Sequence, residues 1–383
     1  MHDHGTVCYV LADTDWIHET IFNDGDAFFA AFERAIQNAE ASIYVETYIF
    51  DLDVLGLRIL HTLVEAANRG VKVYLLMDGI GSISWTHDMA ERLRKNGLCI
   101  EFFHPLLWQR PTFIMRLPNM RLMNHRDHRK LYVIDEKYAF VGSMNISARH
   151  LVSVSGGAHW RDTSVVLTGT PVAALVDSFW VAWDTASDRI LRPKKLLKRF
   201  FSKLKLPILL KHTLRQRRLY REMLIRRIQE TRHHIWITTP YFVPDRRVLA
   251  AILDASYRGI DVRLLFPKVS DFFGVKYAME GYYLKLIKAG VKVYEYLPSM
   301  LHAKIMILDE FVSLGSSNLN HRSFFKDLEI DVILNKPETL SLLRSQFEED
   351  LTHCELRNLS EWNRRPFHRK LLEKFFYQFR GVL

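Results

Sequence analysis

A chain of 383 residues is too long for one small domain and suits two of ordinary size. With 48% hydrophobic and 25% charged residues, its composition excludes a disordered or fibrous chain. A formal net charge of +10 favours an anionic partner: phospholipid headgroups, nucleic acid or a phosphorylated small molecule.

Cys8, Cys99 and Cys354 are far apart and form no Cys-x-x-Cys pair, which fits a reducing compartment better than a disulfide framework or a zinc site. The opening Met1-His2-Asp3-His4 leads into no apolar signal-peptide core, and no apolar run approaches the length of a membrane span. The expected location is cytoplasmic, peripheral on the inner membrane.

In chain order, a helical stretch over Ala27 to Ala39 leads into a buried strand, Ser42 to Phe50. A second helix stops at Asn68-Arg69-Gly70, and a β-branched strand follows, Val71 to Leu76. A helix, Gly97 and a further strand come next. The second half repeats this order. Its helix is Leu219 to Thr231, its strand His234 to Phe242, its helix stop Tyr257-Arg258-Gly259 and its next strand Ile260 to Leu265, followed by a helix, Gly290 and another strand. Strands alternating with helices imply parallel β-α-β units in an α/β sandwich.

The first half carries an extra loop, Trp108 to Asn124, with Arg110, Phe113, Ile114, Met115 and Arg116 in it. It reads either as an ordinary packed loop or as a wall that meets an apolar, anionic substrate. Between the halves, Arg189 to Arg221 contains no Asp or Glu and mixes lysines and arginines with leucines and phenylalanines. Such a segment is either a solvated linker or an interfacial membrane segment, and the large apolar residues favour the second. The C-terminus is similar, with Arg364, Arg365, Arg369 and Lys370 beside Phe367, Leu371, Phe375 and Phe379.

Each half also carries one copy of a motif. The first is His128-Arg129-Lys130, then Asp135, then Gly142-Ser143-Met144-Asn145. The second is His302-Ala303-Lys304, then Asp309, then Gly315-Ser316-Ser317-Asn318. The gap from Asp to Gly differs by one residue, as two related hairpins with different turns would differ. On a strand, His-x-Lys puts both side chains on one face. Gly permits close backbone approach to a ligand. Each half therefore offers an imidazole, an ammonium, a hydroxyl and an amide to one spot, and two facing spots make a cationic pocket for a phosphodiester.

Two lysines would offset the anionic charge that protects a phosphodiester from attack. One neutral histidine would attack phosphorus and the other would move the proton of the leaving and incoming hydroxyls. No metal is required. Asp162 and Glu329 stand at similar places after each motif and are candidates to orient the imidazoles; Asp162 is equally a partner for Arg161. Asp135 and Asp309, beyond the strand, serve either the site or the fold.

The paired motifs resemble the His-Lys-Asp signatures of the phospholipase D superfamily. Further features resemble its bacterial cardiolipin synthase branch: Tyr48-Ile49-Phe50, the run Asn124 to Lys130, Trp160-Arg161-Asp162-Thr163, the run Ser317 to Phe324, and Trp362-Asn363-Arg364-Arg365-Pro366. Lys326-Asp327 departs from the uncharged residues usual there. The resemblance implies two similar α/β sandwich halves, with mixed β-sheets flanked by helices, packed face to face as a pseudo-dimer. The expected division is 15–190 and 219–360 for the halves, 191–218 for a basic linker and 361–383 for a basic tail. It also implies a catalytic set of His128, Lys130, Asp135, His302, Lys304 and Asp309. Ser143, Ser316, Asn145 and Asn318 would bind phosphate, and Asp162 and Glu329 would orient the histidines. Either histidine can be the nucleophile, with family precedent favouring His128.

The implied reaction moves a phosphatidyl group between phospholipids by a phosphohistidine, with no cofactor. The partners are an anionic phospholipid and a membrane surface, with no nucleic acid expected. Phospholipid hydrolysis with water as acceptor is an alternative, as is a metal-independent nuclease. The interleaving of basic residues with large aliphatics favours lipid over nucleic acid.

Overall fold

A computed structural model describes residues 15–111, 124–187 and 206–379. Most of the extra loop and the first part of the basic linker lie outside the described residues.

The first half contains β1 (His18–Phe22), β2 (Ser42–Thr47), β3 (Lys72–Asp78), β4 (Cys99–Phe103), β5 (Lys130–Ile134), β6 (Tyr138–Gly142) and β7 (Ser164–Thr168). They form one sheet in the order β1-β7-β6-β5-β2-β3-β4. Strands β2, β3 and β4 run parallel, as their helical crossovers require, while β5, β6 and β7 pair antiparallel. The sheet is therefore mixed. Helices α1 (Gly25–Gln37), α2 (Val54–Asn68) and α3 (His87–Lys95) start at Asp24, Asp53 and Thr86, whose side chains accept N–H bonds from the first turn. Helix α4 (Val172–Ala186) ends the half.

The second half repeats the plan. Its strands are β8 (Ile208–Leu210), β9 (His234–Thr238), β10 (Phe242–Val243), β11 (Asp261–Pro267), β12 (Lys292–Tyr296), β13 (Ile305–Leu308), β14 (Phe311–Gly315), β15 (Leu319–Asn320), β16 (Ile330–Leu334) and β17 (Cys354–Leu356). The large sheet runs β17-β12-β11-β9-β13-β14-β16-β8, and β10 pairs with β15. The longer helices are α5 (Leu214–Glu230), α6 (Arg246–Tyr257), α7 (Phe273–Lys288), α8 (Pro337–Thr352) and, in the tail, α9 (Phe367–Gln378).

Strand alternation explains how the halves join. In β5, Leu131 and Val133 enter a core shared by both sheets, while Tyr132 and Ile134 enter the core beneath α1 and α2. In β13, Ile305 and Ile307 enter the shared core, while Met306 and Leu308 enter the core beneath α6 and α7. The sheets thus pack face to face, with α4 and α8 contributing Phe179 and Phe347 to the seam. Trp16 crosses it to donate to the Ile333 carbonyl at 3.0 Å.

The hairpin turns differ as their sequences imply. Pairing resumes after three residues, Asp135 to Lys137, in the first half, and after two, Asp309 and Glu310, in the second. Gly142 and Gly315 serve the sheet rather than a ligand. A Cβ on Gly142 would fall 2.6 Å from Ser164 Cα, and one on Gly315 would fall 2.3 Å from the Ile330 carbonyl.

The boundary expected at residue 218 is corrected. Strand β8 pairs with β16, and α5 begins at Leu214, so 206–218 belongs to the second half. Lys211 shows why: its buried ammonium donates to Asp331 at 2.6 Å and lies 3.4 Å from the Tyr220 ring centre.

Candidate active site

Two short backbone bridges connect the halves beside the motifs. Asp127 pairs with Leu328, and Arg161 pairs with Leu301. His128 N donates to the Leu328 carbonyl at 3.0 Å, and His302 N donates to the Arg161 carbonyl at 2.8 Å. Each bridge lays one histidine beside the other half's carboxylate. His302 Nδ1 stands 2.8 Å from Asp162 Oδ2, and His128 Nδ1 stands 3.1 Å from Glu329 Oε2. The orienting carboxylates are thus exchanged across the seam.

The exchange is reinforced from both sides. Arg161 forms a two-pronged ion pair with Asp350, at 3.0 and 2.8 Å, joining β7's approach to α8. Asp327, part of the charged departure from the branch pattern, accepts from Arg126 N at 3.2 Å and pairs with Arg322 at 2.7 Å.

The carboxylates are themselves held. Ser143 Oγ donates to Asp162, and Ser316 Oγ donates to Glu329 at 2.5 Å. These serines, expected to bind phosphate, support the orienting groups instead, because each hydroxyl proton is directed at a carboxylate. Glu329 also accepts from Ser323 Oγ at 2.5 Å. Asn145 and Asn318, expected to bind phosphate, are both buried. Asn145 Oδ1 accepts from Ile49 N at 3.1 Å, and Asn318 Oδ1 has no hydrogen-bond partner among the described residues.

The ammonium groups of Lys130 and Lys304 fold back onto the carbonyls of His128 and His302, each at 2.6 Å. Lys304 Nζ also lies 3.1 Å from His302 Nε2. Burial, then the neighbouring Lys304, push Lys130 down to about 7. Burial pushes Lys304 down to about 8, against the pull of Asp162 and Glu329. Burial and the adjacent lysine push both imidazoles below their usual range, against the facing carboxylates. Burial acts to raise the two carboxyls, but the hydrogen-bonded imidazoles and nearby lysines win and hold both well below the usual carboxylate range. The resting cleft therefore pairs ionised carboxylates with neutral imidazoles, each carrying its proton on Nδ1 and a lone pair on Nε2. An arriving phosphodiester would restore full charge to the lysines.

Asp135 and Asp309 do not join this group, which corrects the expectation that placed them in the catalytic set. Each sits at the far end of its strand with φ near +50°. Asp135 accepts the backbone N–H groups of Glu40, Ala41 and Ser42 at 2.7–3.0 Å. Asp309 accepts those of Arg232, His233 and His234 at 2.7–3.0 Å. Both close the entrance to β2 or β9, where three converging donors occupy the carboxylate.

Sequence reasoning misses His150. It is fully buried; its Nε2 accepts from Asn145 N at 3.2 Å, and its Nδ1 faces Asp162 Oδ2 at 3.4 Å. Burial pushes it down to about 3, so it stays neutral. The second half has Ser323 here, donating to Glu329 while accepting from Asn318 N at 3.1 Å. The available signal is positional: both residues stand five places after the motif asparagine. Tyr48 and Trp160 flank the site, their rings 5.0 Å from His128 and 4.9 Å from His302.

A family model described as "Cardiolipin synthase, PLD-like domain" matches residues 32–181 and 224–351. A cardiolipin synthase of Alkalihalophilus pseudofirmus is 33% identical over 359 residues, covering 92% of this chain and 70% of that one. Cardiolipin synthase A of Pseudomonas aeruginosa is 35% identical over 334 residues, covering 86% and 66%.

The chain belongs to the phospholipase D-like cardiolipin synthase family.

The same fold is visible in a solved structure. A phosphatidylserine synthase of Haemophilus influenzae superposes with a TM-score of 0.72, covering 95% of both chains at 17% identity. In this cardiolipin synthase family member, each family-matched segment carries one histidine–lysine pair of the site, and the basic tail lies beyond both segments. Among the described residues, no helix is long and apolar enough to cross a membrane.

Proposed function

We propose that this chain is a phosphatidyltransferase that makes cardiolipin-type phospholipids at a membrane surface, through a phosphohistidine on His128. Its family and its curated relatives, named as cardiolipin synthases, support the reaction class. The observation that carries the mechanism is the exchange of carboxylates: each imidazole is held by an acidic residue of the other half, with the charges of both lysines acting on both imidazoles.

His128 suits the nucleophile. Glu329 fixes its proton on Nδ1, and its Nε2 has no hydrogen-bond partner among the described residues. His302 Nε2, by contrast, is engaged by Lys304. In the first step His128 Nε2 forms a bond to phosphorus, and the bond to the leaving alcohol oxygen breaks. His302, protonated once the anionic substrate is bound, gives that oxygen its proton. In the second step His302 takes the proton of an acceptor hydroxyl, whose oxygen attacks phosphorus and releases His128. Lys130 and Lys304 stabilise the added negative charge at both transition states. With phosphatidylglycerol as donor and acceptor, the products are cardiolipin and glycerol.

We place the enzyme peripherally on the inner membrane, where donor and acceptor lipids both lie. The test is product analysis by mass spectrometry after incubating purified protein with phosphatidylglycerol vesicles. Equal amounts of cardiolipin and glycerol are expected, and wild type quenched early in turnover should carry an acid-labile phosphoryl group that His128→Ala lacks. Phosphatidic acid as sole product would replace transfer by hydrolysis. No turnover of any phospholipid, with cleavage of DNA or RNA in chelator, would replace both.

A further inference from the structure

Helix α9 is apolar on two sides. Its inner side packs on α7: the Phe376 ring lies 5.8 Å from Phe273 and 6.0 Å from Tyr277, and Tyr377 lies 5.0 Å from Tyr282. Gly274 and Gly281 allow this approach; a Cβ at Gly274 would stand 3.0 Å from the Phe376 ring. Among the described residues, nothing of that kind covers the outer side. Phe367, Leu371 and Phe375, with Phe379 just past the helix end, are 74, 51, 56 and 47% exposed. Spacing by four residues sets them in one slanting stripe.

Exposed cations border the stripe: Arg369, Lys370 and Lys374. The only carboxylate of α9, Glu373, is buried and turned inward onto Arg365 at 2.6 Å. The outer face is therefore apolar and cationic, with no exposed acid on the helix.

The same surface continues toward the active site. Phe273, at the start of α7, shares the Phe376 cluster, and Phe375 joins it with a ring distance of 5.2 Å to Phe376. In the turn leading into α7, Val269 and Phe272, with Phe273 as the helix's first residue, are 58, 62 and 61% exposed. Between them Asp271 accepts the Tyr241 hydroxyl at 2.5 Å, and its charge acts on Lys304. The exposed turn thus carries a carboxylate whose field reaches Lys304.

We propose that the outer face of α9 and the Val269–Phe273 turn form one docking surface for an anionic lipid leaflet, seating the enzyme with the Tyr241–Asp271 side of its site toward the lipid. Aromatic rings with flanking lysines suit the boundary between headgroups and acyl chains. A second copy of this chain would bring the same cations against each other, which disfavours self-association through this face. Each Lys or Arg near an anionic leaflet strengthens binding roughly fivefold. The inference rests on the phosphatidyltransferase reading only for the direction in which the site faces; docking itself is read without turnover.

The experiment is co-flotation of the full chain with vesicles of phosphatidylglycerol and phosphatidylcholine, and with pure phosphatidylcholine. Wild type should float with the anionic vesicles. Phe272→Ser/Phe375→Ser should lower its partition by at least about tenfold, and Lys370→Glu/Lys374→Glu should abolish the preference for anionic lipid. Both pairs are exposed, so melting temperatures should match wild type, and turnover of a short-chain, monomeric phosphatidylglycerol should persist. Wild type that does not float, or variants that float equally well, overturn the proposal. So does a variant that changes only the oligomeric state in lipid-free solution. If wild type floats but turns over neither form of phosphatidylglycerol, docking stands and the transferase reading falls.

Discussion

His302 is oriented by a carboxylate 140 residues away along the chain, Asp162, whose Oδ2 lies 2.8 Å from its Nδ1. Glu329 stands in the reciprocal relation to His128. Asp162→Asn and Glu329→Gln keep the size of each side chain but no longer favour the Nδ1 proton. Each should lower kcat by at least about 100-fold, with little change in melting temperature. Steady-state kinetics beside a thermal melt check this. Activity within tenfold of wild type in both variants would remove the carboxylates from the mechanism.

The lysines give the pH dependence its sign. Lys130 and Lys304, pushed down to about 7 and about 8, lose their protons as pH rises through that window. Phosphate binding is strongest with both protonated, so kcat/KM should fall on the alkaline side from about pH 7 upward. Lys130→Arg cannot deprotonate there. It should be slower at every pH but show a flatter alkaline limb. An unchanged limb in this variant would assign the titration to another group.

His150 acts through Asp162 and so counts as a positioning residue. His150→Ala removes an Nδ1–H facing that carboxylate and leaves Asn145 N without its acceptor. A kcat loss of about tenfold with KM nearly unchanged is expected. His150→Ser, which copies the second half's use of Ser323, should restore most of it. A purely structural role would lower the melting temperature in both variants and leave the kcat-to-KM pattern and the pH profile alone.

The buried Arg161–Asp350 pair clamps the seam. Removing one partner leaves an uncompensated buried charge. Arg161→Ala or Asp350→Ala should each destabilise the fold by about 3–5 kcal/mol, with activity lost in parallel. Denaturant unfolding measures it, and the double variant should cost less than the sum of the two.

Asp135→Ala and Asp309→Ala should separate fold from chemistry. Each orphans three backbone N–H groups at a strand entrance. A loss of about 1–3 kcal/mol is expected, while the folded fraction, assayed at low temperature, keeps near-normal kcat. A large kcat loss in fully folded protein would return these aspartates to the catalytic set.

The two halves are legible in the sequence because their strands are buried on both faces and their helices stop at glycines such as Gly70 and Gly259. The histidine–lysine pairs stand out because the repeat places them at equivalent points. The exchange of Asp162 and Glu329 is not legible: a carboxylate some 30 residues after a motif gives no sign of which half it will face. His150 is hidden because its partner in the repeat is a serine, a different residue type doing similar hydrogen bonding. Ser143 and Ser316 point toward phosphate by motif alone; only the fold turns their hydroxyls toward acids. Lys211 and its strand read as linker because a basic composition cannot distinguish a solvated ammonium from one buried on Asp331.

The reciprocal wiring of the two bridges also constrains motion. A hinge that spread the halves apart would strip Asp162 from His302 and Glu329 from His128 in the same movement. Breathing along the seam would thus switch both imidazoles off together, so lipids must come and go while the sheets stay shut. Catalysis here belongs to a closed clasp.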